Sequence, residues 1–165
     1  MIKIGGQKFD DAIRNAVRNE FNLLIGQKTA EKVKMSMKDL EKENKNAVVY
    51  GRDIVTGLPV EREIPTSLVM KALLEHINTI IEQVKVILEK TPPELAADIF
   101  RRGIYLTGGS SQLSHLDELM ANGTGLKVNL AEDPICSVAN GLSRVINDPN
   151  FQSVAYSYDS QNGGK

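Results

Sequence analysis

Residues 102–111 read Arg102-Gly103-Ile104-Tyr105-Leu106-Thr107-Gly108-Gly109-Ser110-Ser111, and this stretch decides the fold class. A short apolar run from Gly103 to Thr107 ends in a glycine pair. It hands over to Leu113, Leu116, Leu119 and Met120, which are spaced as the inner face of a helix. Gly123 and Gly125 supply a C-terminal stop, and Lys127 to Leu130 forms a second strand. Asp133 before Pro134 then opens a helix whose inward positions are Ile135, Val138, Leu142 and Val145. Strand, helix, strand, helix in that order predicts an α/β unit: a parallel strand pair with a right-handed crossover.

Working upstream, the Pro92-Pro93 pair stops one helix, and Pro93 suits the first turn of the next, through Arg102. The stopped helix starts after Pro65 with Thr66 or Ser67 as cap. Its Leu73, Ile77, Ile80, Val84 and Ile87 make one buried stripe. Ala47–Val55 and Pro59–Ile64, around Thr56-Gly57-Leu58, read as a hairpin with one face in solvent. At the start, Lys3-Ile4-Gly5-Gly6 reads as a strand end and glycine turn. Phe9, Ile13, Val17 and Phe21 then recur every four residues, as in an amphipathic helix. Thr29 caps a second helix through about Met37. The polar stretch Lys38–Asn46 is expected to be a solvated connection. From Asn147 to Lys165 the chain turns polar, and disorder is expected.

Composition narrows the function. The 165 residues are 41% hydrophobic and 25% charged, with formal net charge −1. That balance suits a soluble globular protein and offers no basic field for nucleic acid. No apolar run approaches the roughly 20 residues that span a bilayer, and Met1-Ile2-Lys3-Ile4 carries no signal-peptide pattern. A single cysteine, Cys136, excludes an internal disulfide and fits a reducing compartment. His76 and His115 lie far apart in helical patterns, so no zinc site is expected.

Two constellations carry possible chemistry. The Gly108-Gly109 turn places backbone N–H groups at a helix start, where a ligand can lie against the chain. It reads either as a nucleotide cradle or as a tight turn capped by Ser110 or Ser111. Its spacing fits neither a Walker A loop nor G-x-G-x-x-G. Glu31 and Lys34, three apart on one helix face, read either as a ribose- and base-contacting pair or as an exposed ion pair. Asp10 and Asp11 read as first-turn charges. Met35 and Met37 read as packing residues, and Cys136 as a structural cysteine in a first helical turn.

Several motifs stand in an order that resembles the MreB family. They are Gly5-Gly6 with Phe9-Asp10-Asp11-Ala12-Ile13, then Asn22-Leu23-Leu24-Ile25-Gly26, then Thr29-Ala30-Glu31-Lys32-Val33-Lys34. Gly51-Arg52-Asp53-Ile54-Val55-Thr56-Gly57-Leu58-Pro59 follows. Leu88-Glu89-Lys90-Thr91-Pro92-Pro93-Glu94-Leu95-Ala96-Ala97-Asp98-Ile99 runs on to the glycine pair and Ala131-Glu132-Asp133-Pro134. The resemblance covers residues 2–146. It departs at Ser110, where the family has a third glycine, and around Cys136-Ser137-Val138-Ala139-Asn140-Gly141.

What the resemblance implies is the second lobe of an actin-like ATPase of the cell-shape cytoskeleton. Residues 1–25 and 92–146 would be its core subdomain, and residues 26–91 a smaller outer α+β subdomain. Glu31, Lys34, Gly108, Gly109, Ser110 and Ser111 would hold the adenosine side of ATP. The phosphate loops, any Mg and the catalytic acid would belong to the other lobe, so no catalytic residue and no ATPase activity of its own is expected. Partners would be itself or full-length subunits in cytoplasmic filaments, with membrane contact only indirect. The alternative is a stand-alone module that binds or regulates such filaments.

Overall fold

A computed structural model describes residues 4–154. The chain opens with α1 (Gly6–Phe21), which buries Phe9, Asp10, Ile13 and Val17. Asn22, in the left-handed region that asparagine tolerates, ends it. A two-residue strand, β1 (Leu23–Leu24), follows and went unseen in the sequence because it is too short for any periodicity. Next comes α2 (Gln27–Lys42), with Gly26 rather than Thr29 at its N-cap. The helix continues through most of the polar stretch read as a connection. Met37 is buried while Met35 is 72% exposed. Lys, Glu and Asp there form an outward face, and good helix formers need no buried contact to continue a helix already begun.

The hairpin forms as expected. β2 (Ala47–Asp53) and β3 (Pro59–Ile64) pair antiparallel from Ala47 opposite Ile64 to Arg52 opposite Pro59. Ala47 and Val49 point inward while Val48 and Tyr50 face out. β1 pairs with β2, giving a three-stranded sheet in the order β1-β2-β3. At the turn, the Asp53 carboxylate accepts hydrogen bonds from the Val55 and Thr56 backbone N–H groups. The Thr56 N–H and then its hydroxyl, with a smaller part from the Val55 N–H, hold the Asp53 carboxyl below its usual range.

The long helix α3 (Thr66–Glu89) has Pro65 at its N-cap. It buries Val69, Leu73, Ile77 and Ile81 against α1 and α5. The expected stripe fades beyond Ile81, and Ile87 is 60% exposed. Phe9 meets His76 edge to face, with ring centroids 6.1 Å apart.

The second half follows the predicted order: α4 (Pro93–Arg102), β4 (Ile104–Leu106), a 3-10 turn (Gly109–Gln112), α5 (Leu116–Thr124), β5 (Val128–Leu130) and α6 (Ser137–Asn147). β4 and β5 pair in parallel, Ile104 with Val128 and Leu106 with Leu130. Leu113 is buried, but it precedes α5 rather than lying on it. One hydrophobic cluster runs from Phe9 to Met120.

Three expectations are corrected in the last third. α6 starts at Ser137, not at Asp133, which instead accepts a hydrogen bond from the Cys136 backbone N–H at 3.2 Å. Its apolar stripe is not inward: Ile135, Val138 and Leu142 are all exposed. α4 likewise buries no residue, leaving Leu95 and Phe100 exposed. Periodicity reports which face of a helix is apolar, not whether a second layer lies on it. Finally, Pro149–Val154 form a 3-10 turn where disorder was expected; the rest of that tail lies outside the described residues.

Candidate functional site

A cavity of about 320 Å³ opens between α1, α2 and the glycine turn. It is lined by Gly6, Glu31, Lys34, Met35, Gly109, Ser110, Gln112, Leu113 and Ile135. The structure thus brings four of the six sequence-predicted site residues into the lining of one cavity: Glu31, Lys34, Gly109 and Ser110. Gly108 and Ser111 do not line it. They shape the turn behind it.

Gly108 takes φ +83°, a conformation that side chains resist, so glycine is needed to leave β4 at this angle. Its N–H donates to the Pro134 carbonyl at 2.6 Å, so this donor is not free for a ligand. The Ser111 hydroxyl donates back to the Gly108 carbonyl at 2.7 Å and is buried. Neither serine caps a helix here: the 3-10 turn begins at Gly109 without a side-chain cap. The tight turn exists, and it also forms a cavity wall. Around Gly109 there is open space where a Cβ would go.

On the facing wall, Glu31 and Lys34 do not pair with each other. Lys34 Nζ donates to Asp10 Oδ1 at 2.7 Å and to the Gly6 carbonyl at 3.3 Å. Asp10 is therefore no first-turn charge; it is 4% exposed, one full turn into α1. Asp11 forms an ion pair with Arg14 on the surface instead. A Cβ built on Gly6 would stand 3.5 Å from Lys34 Nζ and 4.0 Å from Ser110 Oγ, so α1 and the turn approach closely across the cavity floor.

Sequence reasoning missed Gly6, Met35, Gln112, Leu113 and Ile135 as lining residues. The Gly5-Gly6 pair before an amphipathic helix was the one available signal, since it permits close approach of another wall. Cys136 lies near this region but is exposed, and hydrogen bonding to Asp133 pushes its thiol up. That is the reverse of the activation expected at a helix start.

The volume lies in the range of small-molecule sites, about 300–1,000 Å³. Met35, Leu113 and Ile135 offer apolar contact to a flat ring, and Glu31, Ser110 and Gln112 offer hydrogen-bond partners for hydroxyl or amino groups. Such a mixture fits a nucleoside. Among the described residues no group of three His, Cys, Asp or Glu side chains gathers to hold a metal. No helix among them is long and apolar enough to cross a membrane.

The chain as a whole is similar to known proteins. The family model described as MreB/Mbl protein matches residues 1–153. The cell shape-determining protein Mbl of Bacillus subtilis is 38% identical over 149 residues, covering 89% of this chain and 45% of that protein. The cell shape-determining protein MreB of Escherichia coli K12 is 41% identical over 147 residues, covering 88% and 42%. The crystal structure of MreB 5 of Spiroplasma citri bound to AMPPNP superposes with a TM-score of 0.82 at 37% identity. That match covers 93% of this chain and 47% of the other. A second structure of the same protein is bound to ADP. The chain spans less than half the length of each of these relatives.

Proposed function

The chain belongs to the MreB/Mbl family, and on that premise we propose that it holds the adenosine side of a nucleotide in a cell-shape-determining filament subunit. The carrying observation is the cavity that joins Glu31 and Lys34 on α2 to Gly109 and Ser110 on the glycine turn. Glu31 accepts hydrogen bonds from ribose hydroxyls, and the Lys34 stem lies along the base. Gly109 and Ser110 bring backbone against the ring, with Gly108 and Ser111 holding the turn in shape. Binding of AMPPNP and ADP by the Spiroplasma relative supports the ligand class.

The core subdomain is residues 1–25 and 92–146, and the outer one residues 26–91. Residues 4–154 place one carboxylate, Glu31, on the cavity wall. On the same reading, phosphate chemistry, including any Mg, is assigned to the other lobe of the family's fold, and no ATPase activity is assigned to this chain alone. Self-association with full-length subunits in the cytoplasm, and through them indirect membrane contact, belongs to the same reading.

Calorimetric titration with ATP tests the site. Wild type binds, while Glu31→Ala and Gly108→Val each weaken binding by about tenfold or more. Equal binding by all three proteins sinks the assignment. Circular dichroism on each variant separates a lost site from a lost fold.

A further inference from the structure

Asp10 stands out among the described residues as the one charged residue that is buried. A buried carboxylate is costly unless a partner compensates it. Here the partner is Lys34, whose side chain is only 12% exposed, 24 positions away on another helix. Two of the three ammonium donors are engaged, by Asp10 and by the Gly6 carbonyl. Both acceptors lie on α1. The cavity therefore meets a lysine whose charge is already neutralised.

We propose that Asp10 is a positioning residue that neutralises Lys34, so that the cavity binds the nucleoside part of a ligand and gains nothing from its phosphates. The inference rests on the adenosine reading above and adds a specificity to it. An ammonium free to turn toward a phosphate would favour the charged ligand. One fixed at 2.7 Å from a carboxylate does not. The remaining charged group on the wall, Glu31, repels phosphate rather than attracting it. Lys28 borders an adjoining hollow that Asp10, Glu31 and Lys34 also line, but it is exposed and screened by salt. Its contribution is common to every variant and cancels in comparisons.

The experiment titrates the full chain with adenosine and with ADP at about 0.15 M salt, where the screening length is about 8 Å. Wild type is expected to bind the two within about threefold of each other. Asp10→Asn frees the ammonium, so ADP becomes preferred by about tenfold while adenosine weakens. Asp10→Asn combined with Lys34→Met removes both charges. It returns the ratio to the wild-type value, and it folds even if the single variant does not, because no charge is left buried alone.

A merely structural Asp10 would weaken both ligands alike and leave their ratio unchanged. That result overturns the proposal, as does a wild type that prefers ADP by tenfold or more. If folded wild type binds neither ligand, the adenosine reading falls and takes this inference with it. Binding with the wrong ratio removes this inference alone.

Discussion

The imidazole Nε2 of His115 stands 3.0 Å from Glu41 Oε2, tying the start of α5 to the last turn of α2 across 74 positions of sequence. The Ser114 hydroxyl donates to the same carboxylate oxygen at 2.5 Å, and His115 Nδ1 lies 3.1 Å from Glu118. His115 reaches both carboxylates from a left-handed backbone, φ 58°, which places it outside α5 rather than in a helical pattern. The clasp fastens two elements that bear opposite cavity walls: α2 carries Glu31 and Lys34, and the segment leading to Ser114 carries Ser110, Gln112 and Leu113.

This clasp predicts a pH dependence. The hydrogen bond to Glu118 raises the His115 pKa most, partial burial opposes it, and attraction to Glu41 adds to the rise. The folded state therefore holds the proton more tightly than the unfolded chain. Its stabilisation is complete below the ordinary imidazole value of 6.5 and is lost as pH rises through the elevated folded value. Because the side chain is 49% exposed, the contribution stays at or below about 1 kcal/mol. Thermal melts of wild type and His115→Gln should differ most below the ordinary imidazole value of 6.5 and converge as pH rises through the elevated folded value. A difference that is constant with pH removes the clasp as its source.

Most elements were legible because their patterns are local. Phe9, Ile13 and Val17 announce α1, and Pro92-Pro93 separates α3 from α4 wherever they pack. The pair Glu31 and Lys34 was found, but the residue that fixes Lys34 was not. Asp10 stands beside Asp11, and acids early in a helix read as dipole charges. Only the crossing of α1 over α2 turns it inward. The same limit explains Ile77 and Ile87, which share a stripe in sequence yet are 0% and 60% exposed. Burial depends on how far the neighbouring elements extend, and that information is not local.

Close packing of α5 on α3 gives a second prediction. A Cβ on Gly123 would stand 2.6 Å from Cγ2 of Ile81, which is itself buried. Alanine is the better helix former by about 1 kcal/mol. Overpacking costs about 1–3 kcal/mol, so Gly123→Ala should be destabilising on balance. Urea unfolding measures it. Repeating the substitution in an Ile81→Ala background should abolish or reverse the loss, since the added methyl then fills space. Additive effects would show that Ile81 is not the obstacle.

The exposed stripe of α6 gives the third. Val138, Leu142 and Ile146 are 72%, 59% and 73% exposed. Burial energy is not at stake there, so substituting each by serine should change stability by no more than about 0.5 kcal/mol. The matching control, Ile77→Ala in the core, should cost about 2–5 kcal/mol. The triple serine variant should also stay in solution at higher concentration, as removal of an exposed apolar patch predicts. A loss of several kcal/mol from the α6 variant would mean that the stripe is covered when the chain is in solution.

The last concerns Gly6, where stability and binding should separate. It opens α1 and is not among the glycines of positive φ, so alanine meets no backbone strain. The added methyl would touch Lys34 Nζ and Ser110 Oγ at ordinary contact distance. A compatible Gly→Ala change stabilises by about 0.4–1 kcal/mol through the unfolded chain, or about 1–3 °C in melting temperature. Yet that methyl stands on the cavity floor, so adenosine affinity should fall by about tenfold. A more stable variant that binds less well locates the ligand between α1 and the glycine turn. Unchanged affinity would place the ligand elsewhere, and loss of both would mean that Gly6 serves the fold rather than the site.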